Sequence, residues 1–156
     1  MPVHVMRQGT TSRAVTSRAV AAEAEAMLRT LKLPRASLSV LLCDDATIHA
    51  LNRDYRKKNK PTDVLAFAMR EGPDGHLAGD LLGDVIISLE TATRQAKERG
   101  AVTRDEGMML LAHGLLHLLG WDHQTDAEDK RMRAETERML AVIRRAAAAK
   151  AKRAAG

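Results

Sequence analysis

The sequence predicts an α+β fold, with one small mixed β-sheet of about four strands packed against about five helices and a buried, histidine-bearing helix at its centre. Three observations predict it. Short runs rich in Val, Leu and Ile, at Val3–Met6, Ser37–Cys43, Val64–Met69 and Leu81–Ser88, have strand length and are bounded by turn or capping residues. Between and after them, apolar residues recur at helical spacing. From Met108 to Leu119 nearly every residue is apolar except two histidines and Gly114, so this segment reads as a helix that faces protein on all sides.

Taken in order, Val3–Met6 is short and reads as an edge strand. Thr11 or Ser12 can cap a helix running to about Leu31, with Val20, Ala24, Met27, Leu28 and Leu31 on one face and Pro34 beyond its end. Ser37–Cys43 is the next strand. Asp44 or Asp45 then caps a helix whose apolar face is Ile48, Leu51 and Tyr55, with His49 off that face. Val64–Met69 and Leu81–Ser88 form an antiparallel hairpin around the turn cluster Glu71-Gly72-Pro73-Asp74-Gly75, and His76 falls in the same loop. Gly83-Asp84 inside the second of these strands marks a bulge or a close backbone approach. Asp84 reads either as a carboxylate supporting a metal ligand or as an ordinary strand charge. Ser88 caps a helix that Gly100 stops, and Thr103 with Glu106 makes a capping box for the histidine helix. Thr125 with Glu128 repeats that pattern before the last helix, whose stripe is Met132, Met139, Leu140 and Ile143.

At 156 residues the chain suits one domain, residues 1–145, followed by a basic, Ala-rich tail at 146–156 that is a fraying helix end or disordered. One Phe, one Trp and one Tyr are the only aromatics, so the core has to be Leu, Val, Ile, Ala and Met. The single Cys43 excludes an internal disulfide and any Cys-rich metal site. Nothing at the N-terminus resembles a signal peptide and no run approaches a membrane span, so a cytoplasmic location is expected. A net charge of +5 suits a polyanionic partner. Five of the eight residues from Arg53 to Lys60 are basic, which is either a solvated helix end or a nucleic-acid contact.

The chemistry concentrates at His113-Gly114-Leu115-Leu116-His117-Leu118-Leu119-Gly120-Trp121-Asp122-His123. On a helix, His113 and His117 are one turn apart and point to one place. Gly120 suits the left-handed residue that ends a helix, and the chain can then return His123 to the same point. Three neutral imidazoles with an open fourth position describe a catalytic zinc site better than a structural one. The alternative is a satisfied histidine on an apolar face, but desolvating three imidazoles is costly unless something binds them. The same spacing occurs in metzincin proteases, where Glu follows the first His and serves as general base. Gly114 occupies that position here and carries no side chain, so a metalloprotease is the runner-up among hydrolases.

These eleven residues closely resemble the H-G-x-L-H-L-x-G-(Y/W)-D-H signature of the YbeY family of rRNA maturation endoribonucleases. Leu51-Asn52-Arg53-Asp54-Tyr55-Arg56, Pro61-Thr62-Asp63-Val64-Leu65 and Leu82-Gly83-Asp84-Val85-Ile86-Ile87-Ser88 are similar to further blocks of that family. The resemblance spans about residues 35–140. Ala66 and Ala68 depart from it, standing where the family often has Ser and Pro. It implies a metal-dependent, single-strand-specific endoribonuclease acting on the 3′ end of small-subunit rRNA and in ribosome quality control. RNA, above all rRNA, and the small ribosomal subunit are the implied partners, with no membrane and no DNA. His113, His117 and His123 match the ligands of one zinc ion per chain, and Arg56 matches the family's functional arginine. Zinc lowers the pKa of bound water to roughly 7. Arg56 would clamp the scissile phosphate, and Lys57, Lys58 and Lys60 would follow its neighbours. Aromatics are so few that base stacking and base readout are expected to be slight, and salt dependence strong. A ribosome-binding assembly factor with a structural metal is the reading from another class.

Overall fold

The computed structural model describes residues 3–10, 12–69 and 80–155. Strands β1 (Val3–Gln8), β2 (Ser37–Cys43), β3 (Val64–Ala68) and β4 (Leu81–Ser88) form one sheet in the order β1-β2-β4-β3. β1, β2 and β4 are parallel, and β3 is antiparallel to β4, so the sheet is mixed. Helices α1 (Ser17–Thr30), α2 (Asp45–Arg56), α3 (Leu89–Glu98), α4 (Thr103–Leu118) and α5 (Asp126–Ala155) complete the α+β fold that the sequence predicts.

Alternation along the strands sorts side chains onto two faces. Leu38, Val40, Leu42, Val85 and Ile87 join the large core built with α1, α4 and α5. Leu41, Cys43, Leu65 and Ile86 turn the other way, onto Ile48 and Leu51 of α2. Leu111, Leu115 and Leu116 place α4 at the heart of the large core, fully buried as their sequence context predicts. Burying each such side chain contributes about 1.5–3 kcal/mol.

Helix ends follow local chemistry, not always at the expected residue. Asp44 caps α2 and Ser88 caps α3, each accepting a hydrogen bond from a backbone N–H three residues on. α1 starts later than expected, with Thr16 as its cap; the Ser12 hydroxyl accepts instead from Ala14 N–H, and Thr11 lies outside the described residues. The capping box at Thr103 does not form. Val102 is the cap position, and the Glu106 carboxylate, only 3% exposed, takes the Arg99 guanidinium instead. Thr125 does accept from Glu128 N–H before α5. One further reading changes. Tyr55 is exposed and does not join Ile48 in the core, while His49 hydrogen-bonds Asn59. α5 continues as helix through Ala155 with its last turns exposed. The turn cluster at 71–75 and His76 lie outside the described residues.

Of the bulge or close backbone approach expected at Gly83-Asp84, the structure shows both. Between the pairs Ser37–Leu81 and Ser39–Asp84, β4 carries one residue more than β2. Gly83 has φ +147°, and a Cβ there would run into the Phe67 carbonyl oxygen, so only glycine fits. Asp84 pairs across from Phe67, on the α2 side of the sheet. It therefore stands away from α4 and its histidines. Burial raises its pKa, and a hydrogen bond from Ser39 partly offsets that.

Candidate metal centre

The last turn of α4 and the loop after it build the site. His113 and His117 project from one face of α4, with Nε2 atoms 3.2 Å apart. Gly120 N–H donates to the His117 carbonyl and Trp121 N–H to the Leu116 carbonyl, the paired bonds of a Schellman turn. Gly120 takes φ +94° with open space around it, so conformation and not crowding calls for glycine there. The reversal brings the His123 ring centre to 5.4 Å from that of His113 and 5.0 Å from that of His117. One nitrogen from each ring lies within 4.8 Å of the others, a cluster that could hold one metal ion.

Burial is the main cause that lowers the pKa of both His113 and His117. The neighbouring histidines add to it, and Arg56 contributes at His117. Asp63 and Asp129 oppose the shift at His113, as does Asp122 at His117. These two rings are thereby held toward the neutral form, whose lone pair is what a metal accepts.

Gly114 sits where α4 crosses the sheet. A Cβ at this position would lie 2.7 Å from Val85 Cγ1 and 3.3 Å from Val64 Cγ2. The Glu of a metzincin is thus excluded here by space as well as by identity.

A cleft of about 980 Å³ opens over the histidines, walled by the end of α2, the loop to β3, β3 itself and the turn between α4 and α5. Arg56, Lys58 and Lys60 line it, together with the carboxylates Asp63, Asp122 and Asp129. Lys57 does not line it; with φ +61° it serves as the left-handed end of α2.

The fold and this geometry can be set beside known proteins. Residues 6–144 match the family model described as Endoribonuclease YbeY. The chain belongs to the YbeY family. It is 46% identical over 123 residues to the endoribonuclease YbeY of Syntrophotalea carbinolica, covering 78% of this chain and 82% of that one. It is 44% identical over 122 residues to that of Geobacter sulfurreducens, covering 77% and 81%. With that of Aquifex aeolicus it shares 46% identity over 114 residues, 73% and 74% of the two chains. A protein of Thermotoga maritima solved in solution shares the fold, with a TM-score of 0.58, 19% identity and 91% of each chain covered. Membership of the YbeY family makes the chain a nuclease hydrolase acting on RNA.

Two residues of the YbeY-like cleft gain a meaning that sequence reasoning missed. Asn52 is buried, and its side-chain amide donates to the Lys60 carbonyl at 2.9 Å while its backbone carbonyl accepts from Lys58 N–H. It ties the basic loop to α2, and a polar residue on the buried side of an amphipathic helix was the available signal. Asp63 accepts from Val64 N–H at 2.8 Å and from the Gln95 amide at 3.2 Å. Gln95 belongs to α3, so no local pattern announces that pair.

Proposed function

We propose that this protein is a zinc-dependent, single-strand-specific endoribonuclease that matures the 3′ end of small-subunit rRNA and takes part in ribosome quality control in the cytoplasm. The observation that supports this most is the convergence of His113, His117 and His123 within 4.8 Å at the floor of a cleft. Three imidazoles without a thiolate are the donor set of a catalytic zinc centre that keeps a position open. Cys43 is buried on the far face of the sheet and supplies no ligand.

Zinc bound there supplies Lewis acidity toward a phosphoryl oxygen and acidifies water near neutral pH. The chain supplies the rest. Arg56 presents a planar pair of donors that can hold a phosphate through two bonds and offset charge growing on it. Lys58 and Lys60, held in place by Asn52, attract the adjoining phosphates. Among the described residues, Asp129 is paired with Arg133 and Asp122 accepts from its neighbour His123 N–H. Asp63, fixed by the Val64 N–H and the Gln95 amide, is a further carboxylate of the cleft wall. The small ribosomal subunit, rich in phosphate, is the partner that the +5 charge and the basic wall suit.

Highly purified protein is incubated with single-stranded RNA, with and without a chelator. Cleavage that the chelator stops and added zinc restores is expected. A protein that melts earlier without metal yet cuts no RNA with it would instead be an assembly factor with a structural ion.

A further inference from the structure

The chain has one Tyr, one Phe and one Trp in 156 residues, and all three line the cleft over the histidines. Chance placement would scatter them, and a core-forming role would bury them. Instead Tyr55 is 70% exposed at the end of α2, and Trp121 is 36% exposed on the turn after α4. Phe67, on β3, is anchored in the small core beside Leu65 and Ile86. Its ring meets that of Tyr55 edge-on, with centres 5.8 Å apart and planes 64° apart. That contact steadies the Tyr55 ring while leaving it open to the cleft. The same cleft carries Arg56, Lys58 and Lys60. Cations that attract a phosphate backbone, interleaved with exposed ring faces, are how proteins hold a single strand without reading its sequence.

We propose that Tyr55, supported by Phe67, and Trp121 form stacking platforms for the unpaired bases that flank the phosphate presented to the histidines. This rests on the ribonuclease reading above and assigns the origin of its strand preference. Bases in a duplex are already stacked and paired, so they have no face to offer these rings. An unpaired base does, whatever its identity. The few aromatics present are gathered at one place, where a low overall content does not preclude stacking.

The test uses the full chain, a short single-stranded oligouridylate and its abasic counterpart with the same ribose-phosphate backbone. Tyr55→Ala and Trp121→Ala are expected to raise KM for the oligouridylate roughly 5- to 100-fold, with kcat changing far less. Tyr55→Phe, which keeps the ring and drops the hydroxyl, is expected to bring KM back to within about two-fold. The single tryptophan also reports directly: its fluorescence should be quenched by the oligouridylate and not by the abasic chain. Unchanged KM in both alanine variants, or equal affinity for the two oligomers, overturns the proposal. If the wild-type protein cuts no RNA, the ribonuclease reading fails, and the fluorescence titration still decides whether bases stack.

Discussion

Arg56 and His117 show how differently two residues of one cleft should respond to change. His117 is half-buried against its histidine neighbours, and Arg56 lies close enough to act on its protonation. On the proposed zinc reading, His117→Ala removes one of three donors, so bound metal, read by elemental analysis, and cleavage are expected to be lost together. Arg56→Glu leaves all three imidazoles in place, so the protein should fold, keep one zinc by elemental analysis and cut RNA about 100- to 1000-fold more slowly. Unaltered cleavage by Arg56→Glu would remove the clamp from the mechanism. At this scale the sequence was highly legible wherever spacing along one helix decides proximity. His113, Gly114, His117 and Gly120 are such cases, and the turn at Gly120 that returns His123 extends the same logic. Tyr55 was not legible, because helical periodicity places it beside Ile48 and Leu51 while the end of α2 runs past the edge of the small core.

Between elements, side chains from different segments close contacts that no window of sequence contains. Asp45, in the first turn of α2, accepts from Ser88 Oγ and from Thr91 Oγ1 at 2.7 Å and pairs with Arg94 at 2.8 Å. It latches α2 to α3. Burial pushes its pKa up, but the hydrogen bonds from Ser88, Thr91 and Arg94 together outweigh that and hold it below the ordinary value. A carboxyl with a depressed pKa stabilises the fold above the unfolded value, about 3.9, and loses that contribution as pH falls through the folded value. Asp45→Asn is expected to cost about 1–2 kcal/mol at pH 7. The difference between variant and wild type, read from urea unfolding, should shrink below about pH 4; a difference independent of pH would show that charge has no part in the latch. The same dependence on partners explains the helix starts. Ser88 and Asp44 cap as expected because their partners are three residues away. Glu106 does not serve its own helix end because Arg99, from the segment before, claims it.

For the whole molecule, charge and shape set how RNA is approached. Affinity for single-stranded RNA should fall steeply between about 50 and 200 mM salt, and Lys58→Ala or Lys60→Ala should each lower the logarithmic salt slope by about 1. The tail is the contrasting region. The family match ends at residue 144, and beyond Ile143 the helix α5 adds no buried residue. Removing residues 146–156 is expected to change unfolding free energy by less than about 0.5 kcal/mol. A larger loss, measured by the same urea titration, would make the tail part of the domain.

The sequence by itself determined the order of the elements, the antiparallel pairing of β3 with β4, a bulge or close backbone approach at Gly83 and the clustering of three histidines. All of these follow from periodicity, capping or spacing within a few residues, where covalent geometry leaves the chain little choice. Only the tertiary structure decided that Asp84 faces away from the histidines, that Asp63 answers to Gln95, and that Tyr55, Phe67 and Trp121 share one cleft. Those placements depend on how α2, β3 and α4 pack across the sheet, and packing joins residues that local preference treats as strangers.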